Sequence, residues 1–275
     1  MKDNLEINGF SLKNAPFGLI SGPCVIETER IALEVAENVK EITNKLGIPY
    51  IYKSSYLKDN RSSANAYQGP GLDEGLKMLE RIKREFDIPV LSDVHCEHHV
   101  YVASDVLDVL QIPAYLSKQT SLALACGRSG KAINIKKGQF MAPEDIYIPI
   151  RKIESTGNHR IMVTERGTVF GYKDIVFDIR NLYWLKKTNY PVVCDITHIV
   201  RIPGYTSTDP KGGLSFMVKQ LSRSAIAFGC DMLFLEVHPD PPSALCDAQS
   251  MLKLSELEDV LKQCIEIKNV IKDMQ

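Results

Sequence analysis

Short apolar, β-branched runs alternate with longer amphipathic stretches along the chain, and this alternation points to helices that cross between parallel strands. The runs are FGLISGP (17–23), PYIYKSS (49–55), PVLSDVH (89–95), VLQIPA (109–114), KAINIKK (131–137), RIMVTER (160–166), PVVCDITH (191–198) and MLFLEVHP (232–239). Each is apolar on both faces, as suits a buried parallel strand better than a half-solvated one. Between them, ERIALEVAENVKEITNKLG (29–47) sets Ile31, Leu33, Val35, Val39 and Ile42 along a helical stripe, with Gly47 at the C-terminal cap position. GLDEGLKMLERIKREF (71–86) repeats the pattern behind the turn Gly69-Pro70-Gly71. Eight such units predict an α/β chain folded as a (β/α)8 TIM barrel, one domain over residues 1–275. An open doubly wound sheet would want fewer strands and a Gly-rich first turn, and no GxGxxG follows the first run.

Composition excludes several function classes. A hydrophobic share of 44% and a charged share of 24% are those of a globular chain. Lys+Arg is 33 against Asp+Glu 34, so no global positive field draws the chain to nucleic acid or an acidic membrane. Any bound anion must be held by a local cluster. The 7 cysteines are scattered and lack a CxxC pair, which argues against a disulfide framework or a zinc ribbon. No run approaches the ~18 apolar residues of a membrane span, and the start MKDNLEINGF has no apolar signal core. The expectation is a reduced, cytoplasmic protein with small-molecule partners.

The strand-like runs end in reactive residues: Cys24, Lys53-Ser54-Ser55, Asp93 and His95, Gln111, Lys136-Lys137, Glu165-Arg166, Asp195 and His198, Glu236 and His238. In a barrel these ends converge on one face, where catalytic groups sit. Lys53, Lys58, Arg61, Lys136, Lys137 and Arg166 would form a dense positive set there. Gathering like charges is unfavourable without an anion between them. Lys58-Asp59-Asn60-Arg61-Ser62-Ser63 adds amide and hydroxyl donors to an Arg fork, a cradle for a phosphate monoester or else a solvated loop.

Cys24, His198, Glu236 and Asp247 offer a thiolate, an imidazole and two carboxylates, a donor set suited to a first-row divalent ion. None of their spacings is local. Cys24 as a small buried hydrophobe and His198 and His238 as hydrogen-bonded structural histidines remain open readings. The other six cysteines, Cys246 among them, read as packing residues. His98-His99 point different ways on a helix, and Tyr183-Trp184 read as core or subunit contact.

Several of these segments, in order, resemble the 3-deoxy-D-manno-octulosonate 8-phosphate (KDO 8-phosphate) synthase family. They are Gly22-Pro23-Cys24-Val25-Ile26-Glu27, Lys53-Ser54-Ser55 with Lys58 to Ser63, Ser92-Asp93-Val94-His95, Gln111-Ile112-Pro113-Ala114 and Asn134 to Phe140. Glu165-Arg166-Gly167 with Phe170-Gly171-Tyr172, and Glu236-Val237-His238-Pro239, complete the set. The sister family, 3-deoxy-D-arabino-heptulosonate 7-phosphate (DAHP) synthase, carries a Lys-Pro-Arg-Thr-like segment where this chain has Asn60-Arg61-Ser62-Ser63. The resemblance implies condensation of phosphoenolpyruvate (PEP) with D-arabinose 5-phosphate in lipopolysaccharide KDO biosynthesis, by a cytoplasmic homotetramer. A synthase using another aldose phosphate, such as erythrose 4-phosphate, and a non-catalytic sugar-phosphate-binding barrel are the alternatives.

By position, the resemblance implies that Lys53, Lys136 and Arg166 hold PEP in a pocket lined by Gln111 and Ala114, with Phe170 also binding substrate. Asn60, Arg61 and Ser62 would hold the pentose phosphate, with Lys58 near its carbonyl end and Asp93 orienting neighbouring Lys and Arg side chains. Cys24, His198, Glu236 and Asp247 match the ligands of the metal-dependent class, which take Fe2+, Zn2+, Mn2+ or Co2+; the other class has Asn at the Cys24 position. Two departures fall in the loop after the seventh run. Ile199-Val200-Arg201 stands where the family has Ser-x-Gln, and Gly212-Gly213-Leu214-Ser215-Phe216 where it has Gly-Gly-x-Arg-Glu. Arg201 adds charge near the acceptor.

Overall fold

A computed structural model describes residues 5, 7–169, 174–206 and 209–272. Eight parallel strands appear in chain order: β1 (Gly18–Gly22), β2 (Tyr50–Lys53), β3 (Val90–Asp93), β4 (Val109–Ile112), β5 (Ala132–Lys136), β6 (Ile161–Glu165), β7 (Val192–Asp195) and β8 (Met232–His238). Each pairs with the next, and β1 pairs with β8, closing the predicted (β/α)8 barrel. The sequence did not announce β9 (Leu252–Lys253), a two-residue strand that extends the sheet beside β8.

The helices between are α1 (Glu29–Leu46), α2 (Leu72–Phe86), α3 (Glu97–Ala103), α4 (Thr120–Arg128), α5 (Tyr147–Glu154), α6 (Arg180–Lys186), α7 (Ile196–Ile199) and α8 (Val218–Phe228), with α9 (Leu257–Lys272) last. Thr28 caps α1 by accepting a hydrogen bond from the Ile31 amide, and Gly47 ends it at φ 66°, as its position predicted.

Inside the barrel, side chains alternate along each strand, and the inward set changes character from bottom to top. The lower layer is apolar: Ile20, Ile51, Leu91, Val109, Ala132, Met162, Val193 and Met232, closed from below by Ile7 and Phe10 of an N-terminal turn. Two residues further along the same strands stand Lys53, Asp93, Gln111, Asn134, Thr164 and Asp195. The second core lies outside the sheet, where buried strand residues such as Leu19, Leu110, Ile133, Ile135 and Val163 meet Val35, Val39, Leu79 and Ile82 of the helices.

Candidate active site

The upper layer forms a hydrogen-bonded chain across four strands. Thr164 Oγ1 donates to Asn134 Oδ1 (2.6 Å), Asn134 Nδ2 to Gln111 Oε1 (2.7 Å), and Gln111 Nε2 to Asp93 Oδ1 (2.6 Å). Asp93 Oδ2 accepts from Ser55 Oγ (2.6 Å) and stands 3.7 Å from Lys58 Nζ. Burial works to raise the Asp93 carboxyl, but Lys58, Lys53 and His95 outweigh it and hold the group far below the usual carboxylate range. Burial is the largest effect on Lys136 and Arg166 too, and lowers both. Lys136 pairs with Asp195 and stands 3.6 Å above the ring of Phe234, whose face forms the apolar floor.

Two adjoining cavities open on this layer. The inner one is lined by Lys53, Asp93, His95, Gln111, Ala114 and Lys136. Arg61, Ser62, Gln139, Arg201, Cys246 and Asp247 line the outer one. Lys58, Asn60, Tyr115, Arg166 and His198 border both. Arg166 is 8% exposed and its Nη1 is buried without a hydrogen-bond partner. Leaving a buried donor unpaired costs about 1–3 kcal/mol, more when charged, so an anion in the chamber is its natural complement.

At the junction of the cavities the soft and hard donors meet. Cys24 Sγ lies 3.6 Å from Asp247 Oδ2, which lies 3.6 Å from His198 Nε2, which lies 3.9 Å from Glu236 Oε1. Asp195 orients the imidazole: its Oδ2 is 2.9 Å from His198 Nδ1, and its Oδ1 accepts from the His198 amide at the start of α7. With Nδ1 engaged, Nε2 is the nitrogen turned to the other donors, the arrangement that metal-bound histidines adopt. Glu236 Oε1 is held by Lys53 Nζ (2.6 Å), while its Oε2 is buried without a partner. The four residues supply the donor types that a divalent ion takes, in two clusters that share Asp247: Cys24 with Cys246 and Asp247, and His198 with Glu236 and Asp247. Arg201 pairs with the other oxygen of Asp247.

Residues 6–273 match the family model described as the DAHP synthetase I family. The chain belongs to the DAHP synthetase I family. Among its relatives, a protein of Syntrophotalea carbinolica is 46% identical over 273 residues, spanning 99% of this chain and 98% of its own length. One of Fusobacterium nucleatum is 46% identical, spanning 97% and 98%, and one of Trichlorobacter lovleyi 48% identical over 254 residues, spanning 92% and 93%. All three are named 2-dehydro-3-deoxyphosphooctonate aldolase, the octulosonate side of the family that Asn60-Arg61-Ser62-Ser63 indicated.

Within this DAHP synthetase I barrel, two readings of the sequence are corrected and two are sharpened. Lys137 is not in the positive set: strand alternation turns it outward, fully buried, with Nζ 3.3–3.5 Å from the carbonyls of Gly138, Met141 and Gly167 and 3.6 Å from Glu165. Cys246 packs, as read, with Val25, Ala244, Ala248 and Met251, and its Sγ also stands 3.0 Å from that of Cys24. Tyr183 and Trp184 are 49% and 43% exposed on α6, which of the two readings, core or subunit contact, rules out the core. His198 belongs to α7 rather than to the end of β7. Phe170, with Gly171 and Tyr172, lies outside the described residues. Asp195 and Phe234 have contacts at the site that spacing alone did not assign; Asp195 three residues before His198 was the available signal.

Proposed function

We propose that this chain condenses PEP with D-arabinose 5-phosphate to give 3-deoxy-D-manno-octulosonate 8-phosphate and phosphate, for KDO biosynthesis, with residues 1–275 as one catalytic domain. The observation that carries the reading is the pair of basic cavities meeting at Lys58, Asn60, Arg166 and His198, a shape for two anionic substrates brought end to end. The relatives' shared name supports the product.

In this reading Lys53, Lys136 and Arg166 take the phosphate and carboxylate of PEP in the inner chamber, with Gln111 and Ala114 around it; Phe170, outside the described residues, is taken as a further substrate-binding residue from the family resemblance. Asn60, Arg61 and Ser62 take the pentose phosphate in the outer one, leaving the aldehyde beside Lys58. Carbon 3 of PEP attacks that aldehyde while water adds at carbon 2. Asp93 positions Lys58 and Gln111, and the fixed cations hold both substrates in reacting geometry, where much of the rate arises. Cys24, His198, Glu236 and Asp247 would hold a divalent ion (Fe2+, Zn2+, Mn2+ or Co2+), whose Lewis acidity suits polarising the aldehyde oxygen or acidifying the water.

No helix among the described residues is long and apolar enough to cross a membrane. We take the enzyme to be a cytoplasmic homotetramer; exposed Tyr101, Tyr183, Trp184 and Phe216 support self-association. Arg201 in the outer cavity is the feature that favours a different aldose phosphate. The test is incubation with PEP and either arabinose 5-phosphate or erythrose 4-phosphate, following loss of PEP absorbance and release of phosphate. Turnover with the five-carbon acceptor, abolished by a chelator, is expected. No PEP consumed with that acceptor would overturn the reading.

A further inference from the structure

Cys246 is 1% exposed, and its sulfur has two neighbours of opposite kinds. On one side is Cys24 Sγ at 3.0 Å; on the other, Arg61 Nη1 donates to it at 2.7 Å. Arg61 Nη2 also donates to the Leu245 carbonyl (3.2 Å), so the guanidinium is seated on the backbone and the Cys246 sulfur together. Ligand atoms of Cys24, Cys246 and Asp247 all lie within 4.8 Å of one another, and those of His198, Glu236 and Asp247 do likewise, so the two groups share Asp247.

The backbone explains how neighbours in sequence reach one point. Asp247 adopts φ 52°, a left-handed conformation that a residue with a Cβ enters at some cost and that recurs where function demands it. That turn lets the side chains of Cys246 and Asp247 converge, where successive residues on a regular element would diverge. The carboxylates are half-engaged already: Lys53 holds one oxygen of Glu236 and Arg201 one of Asp247, while Glu236 Oε2 is buried and unpartnered.

We infer that Cys246 is a further metal ligand, a second thiolate beside Cys24, which makes the centre selective for zinc-like ions over harder ones. The inference rests on the metal site proposed above. Two sulfurs bound at ~2.3 Å on a tetrahedral ion stand about 3.8 Å apart, so the observed pair needs to spread by less than 1 Å. Two thiolates with one imidazole and single carboxylate oxygens favour Zn2+ or Co2+ and disfavour Mn2+, which prefers oxygen. Arg61, hydrogen-bonded to the same sulfur and lining the outer cavity, would then touch both the ligand shell and the acceptor's anionic end.

The test uses reduced, metal-free protein titrated with Co2+ alone and reads the near-ultraviolet sulfur-to-cobalt charge-transfer band, whose intensity scales with the number of bound thiolates. Cys246→Ser and Cys246→Ala should each halve the band, as should Cys24→Ser, and the double variant should abolish it. Zn2+ affinity, measured by competition with a chromophoric chelator, should fall about 100-fold or more in Cys246→Ser, beyond the ~10–100-fold typical of a partner outside the ligand shell. Mn2+ affinity should fall less than tenfold. Unchanged melting of the metal-free variants controls for folding. Full band intensity in both Cys246 variants, or a wild-type band worth one thiolate, overturns the inference and leaves the four-ligand centre standing. No Co2+ uptake by the wild type overturns both.

Discussion

Arg166 carries a buried guanidinium with an unpartnered Nη1 into the chamber where both cavities meet. A guanidinium grips phosphate or carboxylate through two parallel donors, a geometry that an ammonium of equal charge lacks. Arg166→Lys is therefore expected to raise KM for PEP roughly 10–100-fold, the equivalent of a charge-assisted hydrogen bond of about 1.5–3 kcal/mol, with a smaller effect on kcat. Steady-state kinetics at saturating acceptor would show it, and an unchanged KM would remove Arg166 from the PEP site. Gly22 is a second single-residue constraint: a Cβ there would fall 2.0 Å from the Lys53 carbonyl oxygen, so β1 and β2 approach at a point where no side chain fits. The polar site residues were legible in the sequence because charge at a strand end has few structural uses. Phe234 was not, because an inward aromatic under Lys136 looks, as a letter in an apolar run, like any core residue.

The connection from β6 to α6 depends on a pair that the cavities never touch. Lys137 and Glu165 are both fully buried, 3.6 Å apart, and they tie the strand ends of β5 and β6 together. Glu165 Oε1 also accepts from the Gly167 amide, and Val169 donates its amide to the Gln139 carbonyl, so the segment bearing Arg166 is fastened at both ends. Lys137→Met would leave a buried carboxylate without its cation, a change worth about 3–5 kcal/mol of stability. A drop in thermal melting temperature of Lys137→Met, largely restored in Lys137→Met/Glu165→Gln, is expected. Equal stability of the single variant and wild type would deny the pair this role. The sequence showed that a strand ended near Lys136-Lys137, but a run apolar on both faces conceals its parity. Which lysine faces the chamber was decided by register, Lys136 opposite Thr164, which only the assembled sheet reveals.

Closing eight parallel strands brings all their C-terminal ends to one mouth, which gathers Cys24, His198 and Glu236 there, whereas Asp247, in the loop beyond β8, was placed beside them only by the family resemblance. Cys246 was not legible as a neighbour, since its approach depends on the left-handed turn at Asp247 and no pattern of letters marks that turn. The same closure concentrates ionised groups in a buried layer, and this has a consequence for the molecule as a whole. Burial alone would raise the carboxyls of Asp93, Asp195 and Asp247. Lys58 and Lys53 around Asp93, His198 and Lys136 around Asp195, and Arg201 and His198 around Asp247 instead hold all three far below the usual carboxylate range. In the unfolded chain each returns to about 3.9. Their contribution to stability is thus complete above roughly pH 5 and declines as pH falls, by about 1.4 kcal/mol per pH unit for each group once below 4. Glu165 acts with the opposite sign, because burial raises its carboxyl and it is the folded state that protonates first. Glu236 is likewise held low by Lys53, His198 and Lys58 against the effect of burial, so four lowered groups against one raised leave a net loss in acid. Melting of the metal-free protein followed from pH 6 to pH 3 should show a shallow dependence down to about pH 4.5 and a steep fall below it. Asp195→Asn should make that acid slope shallower, whereas a melting temperature level down to pH 3 would mean that the layer's carboxylates are not held ionised by their neighbours.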